Sequence, residues 1–479
     1  MRSLALAQRR FAGTDISLPE IEIGRMDRAM TGNLIEKYGE ARLPRYTSYP
    51  TAPLFSADVG ASDCLDWIGT VPSNESASLY LHIPFCRSMC WYCGCHTTIT
   101  GRDQPILDYL DVMTREIRLV GKARREQLDI GEVHFGGGTP TIVKPEEFIE
   151  LMGVLRENFR MGVSTRVAVE IDPRTLSAGM ADALGRAGVT RASLGVQSFD
   201  PTVQKAINRI QSAETTADAV GMLRANGIGN LNFDLIYGLP YQTVQSCVET
   251  VKTAVDMRPD RFAVFGYAHV PAFKKHQRLI DEQALAGAQG RNEQAEAIAD
   301  ALVQAGYRRV GLDHFALPDD QLALAAESGR LHRNFQGYTT DECKTLIGFG
   351  ASSIGRFAQG YVQNEVPLGL YAKHIAAGGL ATAKGYALTA EDRLRADVIE
   401  RLMCDFKIDI PGVAALHGFD PELLLKDNSR LRELADDGVV EIDAGVLRVR
   451  DSNRFMIRAV AASFDAYLGN SSRSFSRAA

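Results

Sequence analysis

Short apolar runs alternate along most of this chain with stretches of helical periodicity. "LYLHIP" (79–84) reads as a buried strand, and Leu107, Leu110, Met113, Ile117 and Val120 then recur at helical spacing. Strand-like "EVHFGGG" precedes a helix near 145–159, "RVAVEIDP" a helix near 177–187, and "RASLGVQS" helices near 200–226. "NFDLIYGLP" precedes a helix near 243–257, and "RFAVFGYAH", a helix near 292–305 and "YRRVGLDHF" complete the series. Strands that alternate with helices pair in parallel through crossovers, so the pattern predicts an α/β sheet or barrel. The flanks differ. Residues 1–60 lack clear periodicity, and "LPRYTSYPTAPLF" within them reads as an extended arm. From about 386, "TAEDRLRADVIERLMCDF" is helical, and "GVVEIDAGVLRV" reads as a hairpin after two more helices. The expected division is an N-terminal extension and arm over 1–60, a main α/β domain over 61–385 and a smaller, mostly helical domain over 386–479.

The polar and glycine residues collect where these strands end. Gly136, Gly137, Gly138 and Thr139 close the second strand, Glu170 and Asp172 the third, and Gln197 the fourth. Asp234 and Tyr237 close the fifth, and Tyr267 and His269 the sixth. The carboxyl ends of parallel strands form one rim, and ligands bind at that rim. The first strand runs into "CRSMCWYCGC", which places four of the chain's eight cysteines, Cys86, Cys90, Cys93 and Cys95, in ten residues.

Composition limits what these thiols can be for. The 479-residue chain is 45% hydrophobic, enough for a large core, and its net charge of −6 disfavours nucleic acid or a membrane surface as partner. Asp436, Asp437, Glu441 and Asp443 around the C-terminal hairpin make DNA binding by a winged-helix module unfavourable too. The apolar run at the N-terminus is too short for a signal peptide, and no stretch of about eighteen apolar residues occurs. The chain is therefore expected in the cytoplasm, where thiols stay reduced and a disulfide framework is disfavoured. Zinc knuckles use two separated cysteine pairs, and ferredoxins repeat Cys-x2-Cys-x2-Cys with a distant Cys-Pro; neither pattern is present. What remains is Cys-x3-Cys-x2-Cys with Cys95 as an extra thiol.

That spacing after a first barrel strand resembles the radical S-adenosylmethionine (SAM) superfamily, which implies a partial (β/α)6 barrel of the radical SAM type. Three thiolates hold three irons of a [4Fe–4S] cluster and leave the fourth iron open for SAM. "PRYTSYPTAPLF", "LYLHIPFC", "CGC", "HFGGGTPT", "EIDPRTL", "LGVQSFD", "NFDLIYGLPYQT", "YAHVP", "DHFA" and "HRNFQGYTT" narrow the resemblance to the oxygen-independent coproporphyrinogen III dehydrogenases of haem biosynthesis. What precedes Met26 has no counterpart in that resemblance.

The resemblance implies that Cys86, Cys90 and Cys93 hold the cluster and that two SAM molecules bind per chain. Tyr80, Gly137, Glu170 and Ile354 would contact one; Tyr92, Gly138, Thr139, Gln197, Arg209, Asp234 and Ala268 would contact the other. Cys95, Glu170, Phe335 and Gln336 would serve catalysis. Ordinary roles stay open for several: packing for Tyr92, a surface ion pair for Arg209, a core position for Ile354, and a bystander thiol for Cys95. The related haem-chaperone branch typically lacks a cysteine at the position of Cys95, so that thiol favours the biosynthetic enzyme over a haem-binding or haem-modifying paralogue. The implied partners are coproporphyrinogen III, whose four carboxylates call for cations such as Arg42, Arg45 or Arg333, and a low-potential electron donor such as flavodoxin or ferredoxin. The expected state is a monomer.

Overall fold

The computed structural model describes residues 33–39 and 41–468. The segment before Met26 lies outside them, as does most of the expected N-terminal extension. Six parallel strands lie side by side in chain order: β1 (Ala77–Ile83), β2 (Asp129–Gly137), β3 (Arg160–Ile171), β4 (Arg191–Gln197), β5 (Asn230–Tyr237) and β6 (Arg261–Gly266). Each crossover carries helix: Gln104–Lys122, Pro145–Asn158, Ala178–Ala187, the pair Pro201–Ala206 and Ala213–Ala225, and Val244–Asp256. These match the helices expected from periodicity to within a few residues.

Alternation along the strands separates two chemistries. Leu79, Leu81 and Ile83 of β1 share one buried cluster with Val133 and Phe135 of β2, Val167 and Val169 of β3, Leu194 of β4, Phe233 of β5 and Phe262 of β6. The crossover helices add Met113, Ile117, Leu155, Leu184, Leu223 and Val251 to the same cluster. Because successive strand side chains point to opposite faces, Tyr80, His82, His134, Glu170, Ser193, Asn232 and Asp234 all fall on the other face. One face of the sheet is apolar and covered by helices, and the other is polar and lines the interior.

The six strands are half of a twelve-stranded sheet. Beyond β1, Thr345–Phe349 runs parallel to it and carries the antiparallel strands Ile354–Arg356, Gly360–Asn364 and Thr382–Ala387. Beyond β6 the strand–helix series stops. After the helix Ala288–Gln304, "YRRVGLDHF" does not add another parallel strand. Arg308–Val310 and His314–Ala316 form an antiparallel hairpin, with the turn at Gly311 (φ +58°), and its second strand, His314–Ala316, pairs antiparallel with β6. Strands of three residues are too short to declare a direction in sequence, and the left-handed turn reverses the chain before a crossover can form.

The C-terminal region contains the expected helix, Ala390–Asp405, and the expected hairpin of Val440–Asp443 and Val446–Val449. Three short helices rather than two lie between them, Ile410–Leu416, Glu422–Leu425 and Ser429–Asp436. A third strand, Lys407–Asp409, pairs with Val446–Val449 and makes the hairpin a small sheet. The extended arm packs into this region: Leu43, Tyr46 and Tyr49 share a second core with Val398, Leu402, Leu434, Val460 and Phe464. Tyr46 donates to Asp465 at 3.0 Å, Tyr49 accepts from the Ala466 N–H at 3.0 Å, and Arg458 Nε donates to the Pro44 carbonyl at 3.0 Å.

Glu116, 2% exposed on the helix Gln104–Lys122, ties the sheet's added strands to its first crossover. It accepts from the Gly350 N–H at 2.7 Å, Asn364 Nδ2 at 2.6 Å and the Tyr371 hydroxyl at 2.7 Å. A Glu116→Ala variant strands these buried donors and is expected to lose at least about 3 kcal/mol of stability, measured by chemical denaturation. Stability within about 0.5 kcal/mol of wild type would show that water or neighbouring carbonyls replace the carboxylate.

Candidate active site

The cysteine loop leaves the end of β1, and its backbone is pinned from two sides, by the segments that follow β4 and β6. The Trp91 N–H donates to the Ile207 carbonyl at 2.9 Å, and Asn208 Nδ2 donates to the Met89 carbonyl at 2.8 Å. Beyond β6, His276 Nε2 donates to the Cys93 carbonyl at 2.8 Å, Gln277 Nε2 to the Tyr92 carbonyl at 2.9 Å and Lys274 Nζ to the Cys95 carbonyl at 2.9 Å. With its carbonyls satisfied outwards, the loop lines a cavity of about 720 Å³ with Cys86, Cys90, Cys93 and Cys95. All four cysteines are free thiols.

The glycine run "GGG" shapes the opposite wall. Gly137 has φ +117°, and a Cβ on Gly138 would stand 2.5 Å from the Phe85 carbonyl oxygen, so the second strand's end can lie against the loop only with glycine there. That close approach brings Thr139 Oγ1 to 3.3 Å from Cys86 Sγ.

Buried charges gather around Cys90. Arg209 Nη1 and Arg174 Nη2 donate to Cys90 Sγ at 3.5 and 3.6 Å. Both guanidiniums are held by Asp172, which receives Arg174 Nη2 at 2.6 Å and Arg209 Nη2 at 3.2 Å. Burial opposes the Asp172 charge, yet these hydrogen bonds and the two cations hold its carboxyl below the ordinary range. Cys95 donates to Cys93, which draws the Cys93 thiol down to about 6 against the opposing effect of burial and holds Cys95 as a thiol. Burial pushes the Cys86 thiol up to about 11.

Two carboxylates face the cavity from β3 and β5, on either side of β4, and their environments set them apart. Glu170 resists the effect of burial by accepting from His134 Nε2 at 3.2 Å and the Gly137 N–H at 3.2 Å, and its carboxyl stays below the ordinary value. Burial, and then the nearby Glu170, pushes Asp234 up to about 7, although Ser193 Oγ and Asn232 Nδ2 donate to it at 2.9 and 2.8 Å. A carboxylate that stays ionised in a partly closed cavity is suited to a cationic ligand group.

Most of the residues singled out in sequence line this one cavity: Cys86, Cys90, Tyr92, Cys93, Cys95, Gly137, Gly138, Thr139, Glu170, Gln197, Arg209, Asp234 and Ala268. Four stand elsewhere. Tyr80 lies on the polar face of β1, stacked on His134 at 5.9 Å and donating to His82 Nδ1 at 3.0 Å, so it reaches Glu170 through His134. Ile354 lies in the second strand beyond β1, outside the cavity lining. Phe335 meets Tyr361 edge-on at 6.1 Å, in a separate pocket with Tyr46 and Glu400. Gln336 lines a smaller cavity, about 130 Å³, that shares Glu170, Ser193, Asp234 and Phe265 with the main one. Sequence reasoning missed Arg174, His134, Lys274, His276 and Gln277. Arg174 had a faint signal, a cation two residues after the strand-end Asp172 in "EIDPRTL"; the others act through contacts distant in sequence.

The donor set fits a [4Fe–4S] cluster, which takes one thiolate per iron and tolerates hydrogen bonds to its sulfurs. Among the described residues no three His, Cys, Asp or Glu side chains are placed to hold a single metal ion.

Comparison with known proteins agrees with this chemistry. Residues 80–254 match the radical SAM superfamily model. The oxygen-independent coproporphyrinogen III oxidase of Bradyrhizobium diazoefficiens is 57% identical over 94% of this chain and 100% of its own length. The enzyme of the same name from Escherichia coli is 39% identical over 92% of this chain and 96% of its own. Among solved structures, coproporphyrinogen III oxidase from Escherichia coli, described as a radical SAM enzyme, superposes with a TM-score of 0.85 at 36% identity, covering 89% of this chain and 100% of that one. With a cysteine loop of the right spacing at the mouth of a matching α/β sheet, and near-complete coverage of its relatives, this chain belongs to the oxygen-independent coproporphyrinogen III oxidase family of radical SAM enzymes.

Proposed function

We propose that this protein oxidatively decarboxylates two propionate side chains of coproporphyrinogen III without oxygen, yielding the vinyl groups of protoporphyrinogen IX. The observation that carries this reading is the convergence of Cys86, Cys90 and Cys93 with Glu170, Arg209 and Asp234 on one cavity, in a chain of this family. When bound, the cluster and SAM would supply radical chemistry that removes a hydrogen atom from a propionate β-carbon; CO2 leaves as the vinyl group forms, and the remaining electron passes to an external one-electron acceptor.

The protein's own residues hold and orient these groups. Cys86, Cys90 and Cys93 are the cluster ligands, and Arg174 and Arg209 donate to Cys90 and offset negative charge on its sulfur. Ionised Glu170, fixed by His134 and the Gly137 N–H, would receive the amino group of SAM. Tyr80 acts as a positioning residue by stacking on His134. A second SAM has Tyr92, Gly138, Thr139, Gln197, Arg209, Asp234 and Ala268 available around the same cavity. Cys95, next to the ligands but bonded to Cys93 rather than free to replace it, is placed to exchange a proton in the cavity. Gln336 lines the smaller cavity that shares Glu170 and Asp234 with the main one, and Phe335 stands against Tyr361 in a separate pocket. A low-potential donor of the flavodoxin or ferredoxin class supplies the electron, and the chain acts as a monomer in the cytoplasm; no described helix is long and apolar enough to cross a membrane. Anaerobic turnover with identification of protoporphyrinogen IX tests the activity. Bound tetrapyrrole without decarboxylation would support the haem-chaperone alternative instead.

Serine in place of Cys86, Cys90 or Cys93 is expected to abolish the cluster, read as loss of bound iron and sulfide after anaerobic reconstitution. Cys95→Ser should keep wild-type iron and SAM binding yet lose most decarboxylation; full turnover would make Cys95 a bystander, and lost iron would make it a ligand.

Asp234→Ala removes a carboxylate that lines the cavity without touching the cysteine loop. Cluster assembly should survive, while SAM stoichiometry falls from two per chain toward one as the second site weakens by about 1.5–3 kcal/mol. A wild-type stoichiometry of one, unchanged in the variant, would refute the second SAM and leave the single-SAM mechanism standing.

A further inference from the structure

A second cavity of about 70 Å³ opens beside the main one, and the two share Arg45, Phe265, Gly266, Tyr267 and Ala268 as a common wall. Its lining has five arginines, Arg45, Arg291, Arg309, Arg333 and Arg458, against two carboxylates, Glu296 and Asp313. Arg309 pairs with Glu296 at 3.2 Å, and Asp313 accepts from His314 Nδ1 at 2.8 Å while its charge also faces Arg333 and Arg45. Arg45, Arg291 and Arg458 each donate to a backbone carbonyl. Arg45 Nη2 donates to Gly266 at 3.3 Å, Arg291 Nη1 to Tyr267 at 2.8 Å and Arg458 Nε to Pro44 at 3.0 Å. Arg333 is 8% exposed, lies over the Tyr338 ring at 4.5 Å and donates from Nη2 to the Arg45 carbonyl at 3.4 Å. Its Nε and Nη1 find no hydrogen-bond partner among the described residues.

Buried guanidinium charge is costly unless an anion meets it, and unpartnered guanidinium N–H groups in a cavity mark where that anion goes. Burial followed by the neighbouring Arg45 pushes Arg458 down to about 9, which fits cations crowded around one space. The space has room for one carboxylate arm and not for a macrocycle. No cysteine-loop residue lines it.

Resting on the tetrapyrrole reading above, we infer that Arg333, with Arg45, Arg291 and Arg458 around it, forms a subsite that binds a substrate propionate not undergoing decarboxylation. The arm enters through the shared wall, and the macrocycle stays in the main cavity beside the cysteine loop. Arg333 is then a specificity-determining residue that recognises carboxylate through a planar fork.

The test uses the reconstituted full chain and two fluorescent probes, coproporphyrin III with four carboxylates and its tetramethyl ester with none. Arg333→Met should weaken the tetracarboxylate by about ten- to a hundredfold while changing ester binding less than about twofold. Arg333→Lys, which keeps the charge and loses the fork, should fall between, and Arg330→Met, at an exposed ion pair with Glu342, should match wild type. Wild-type affinity for the tetracarboxylate in Arg333→Met overturns the subsite alone. Equal weakening of both probes in Arg333→Met and Arg333→Lys makes Arg333 structural and also overturns it. A wild-type protein that binds neither probe overturns the tetrapyrrole reading and the subsite with it.

Discussion

Everything at the active site depends on six strands pairing in parallel with their polar faces turned the same way. The register places His82 beside Gly136, Glu170 beside Ser193 and Gly195 beside Asp234, so neighbouring strands present compatible groups at one level. Each strand buries its alternate residues under the crossover helices, and that apolar burial supplies the driving force. A one-residue slip in any strand would send its polar set into the helices and its apolar set into the cavity. The hydrophobic core and the site are thus two faces of one constraint, and neither can be re-registered alone.

Within that frame the site is built by distributing buried charge. Asp172 holds two guanidiniums in place, and both reach the same sulfur. Glu170 and Asp234, on the same face, diverge because one is met by His134 and a backbone N–H and the other mainly by neutral side chains. Burial opposes ionisation of both, and Glu170 offsets it with the His134 and Gly137 partners, while Asp234 also meets the charge of Glu170. Such placement needs rigid supports, and the strand ends supply them, while the cysteine loop borrows rigidity from donors beyond β4 and β6.

The C-terminal region and the arm complete the far side. Arm and C-terminal helices share one core, and Arg458 grips the arm's carbonyls from the helix Ile457–Ala462. That packing carries Arg45 to the rim of the main cavity and encloses the arginine-lined cavity beside it. The arm therefore contributes Arg45 to both cavities, and the C-terminal region contributes Arg458 to the smaller one.

The sequence by itself determined the strand–helix order, the rim of strand-end polar residues and the cysteine loop, because each is written locally. Period-two alternation, period-3.6 recurrence and a fixed thiol spacing all lie within short windows. Only the tertiary structure decided the rest. The direction of Arg308–Val310 and His314–Ala316 is settled by a left-handed turn and edge pairing, which three-residue strands cannot announce. Ile354 and Phe335 stand outside the main cavity because their own strands and rings find partners elsewhere. The bonds from Arg174 to Cys90, and the meeting of Arg45, Arg291, Arg333 and Arg458, join positions with no shared pattern along the chain. Local periodicity encodes which face a residue takes, but the pairing of distant buried charges depends on distances that exist only once the sheet, the arm and the C-terminal core have packed together.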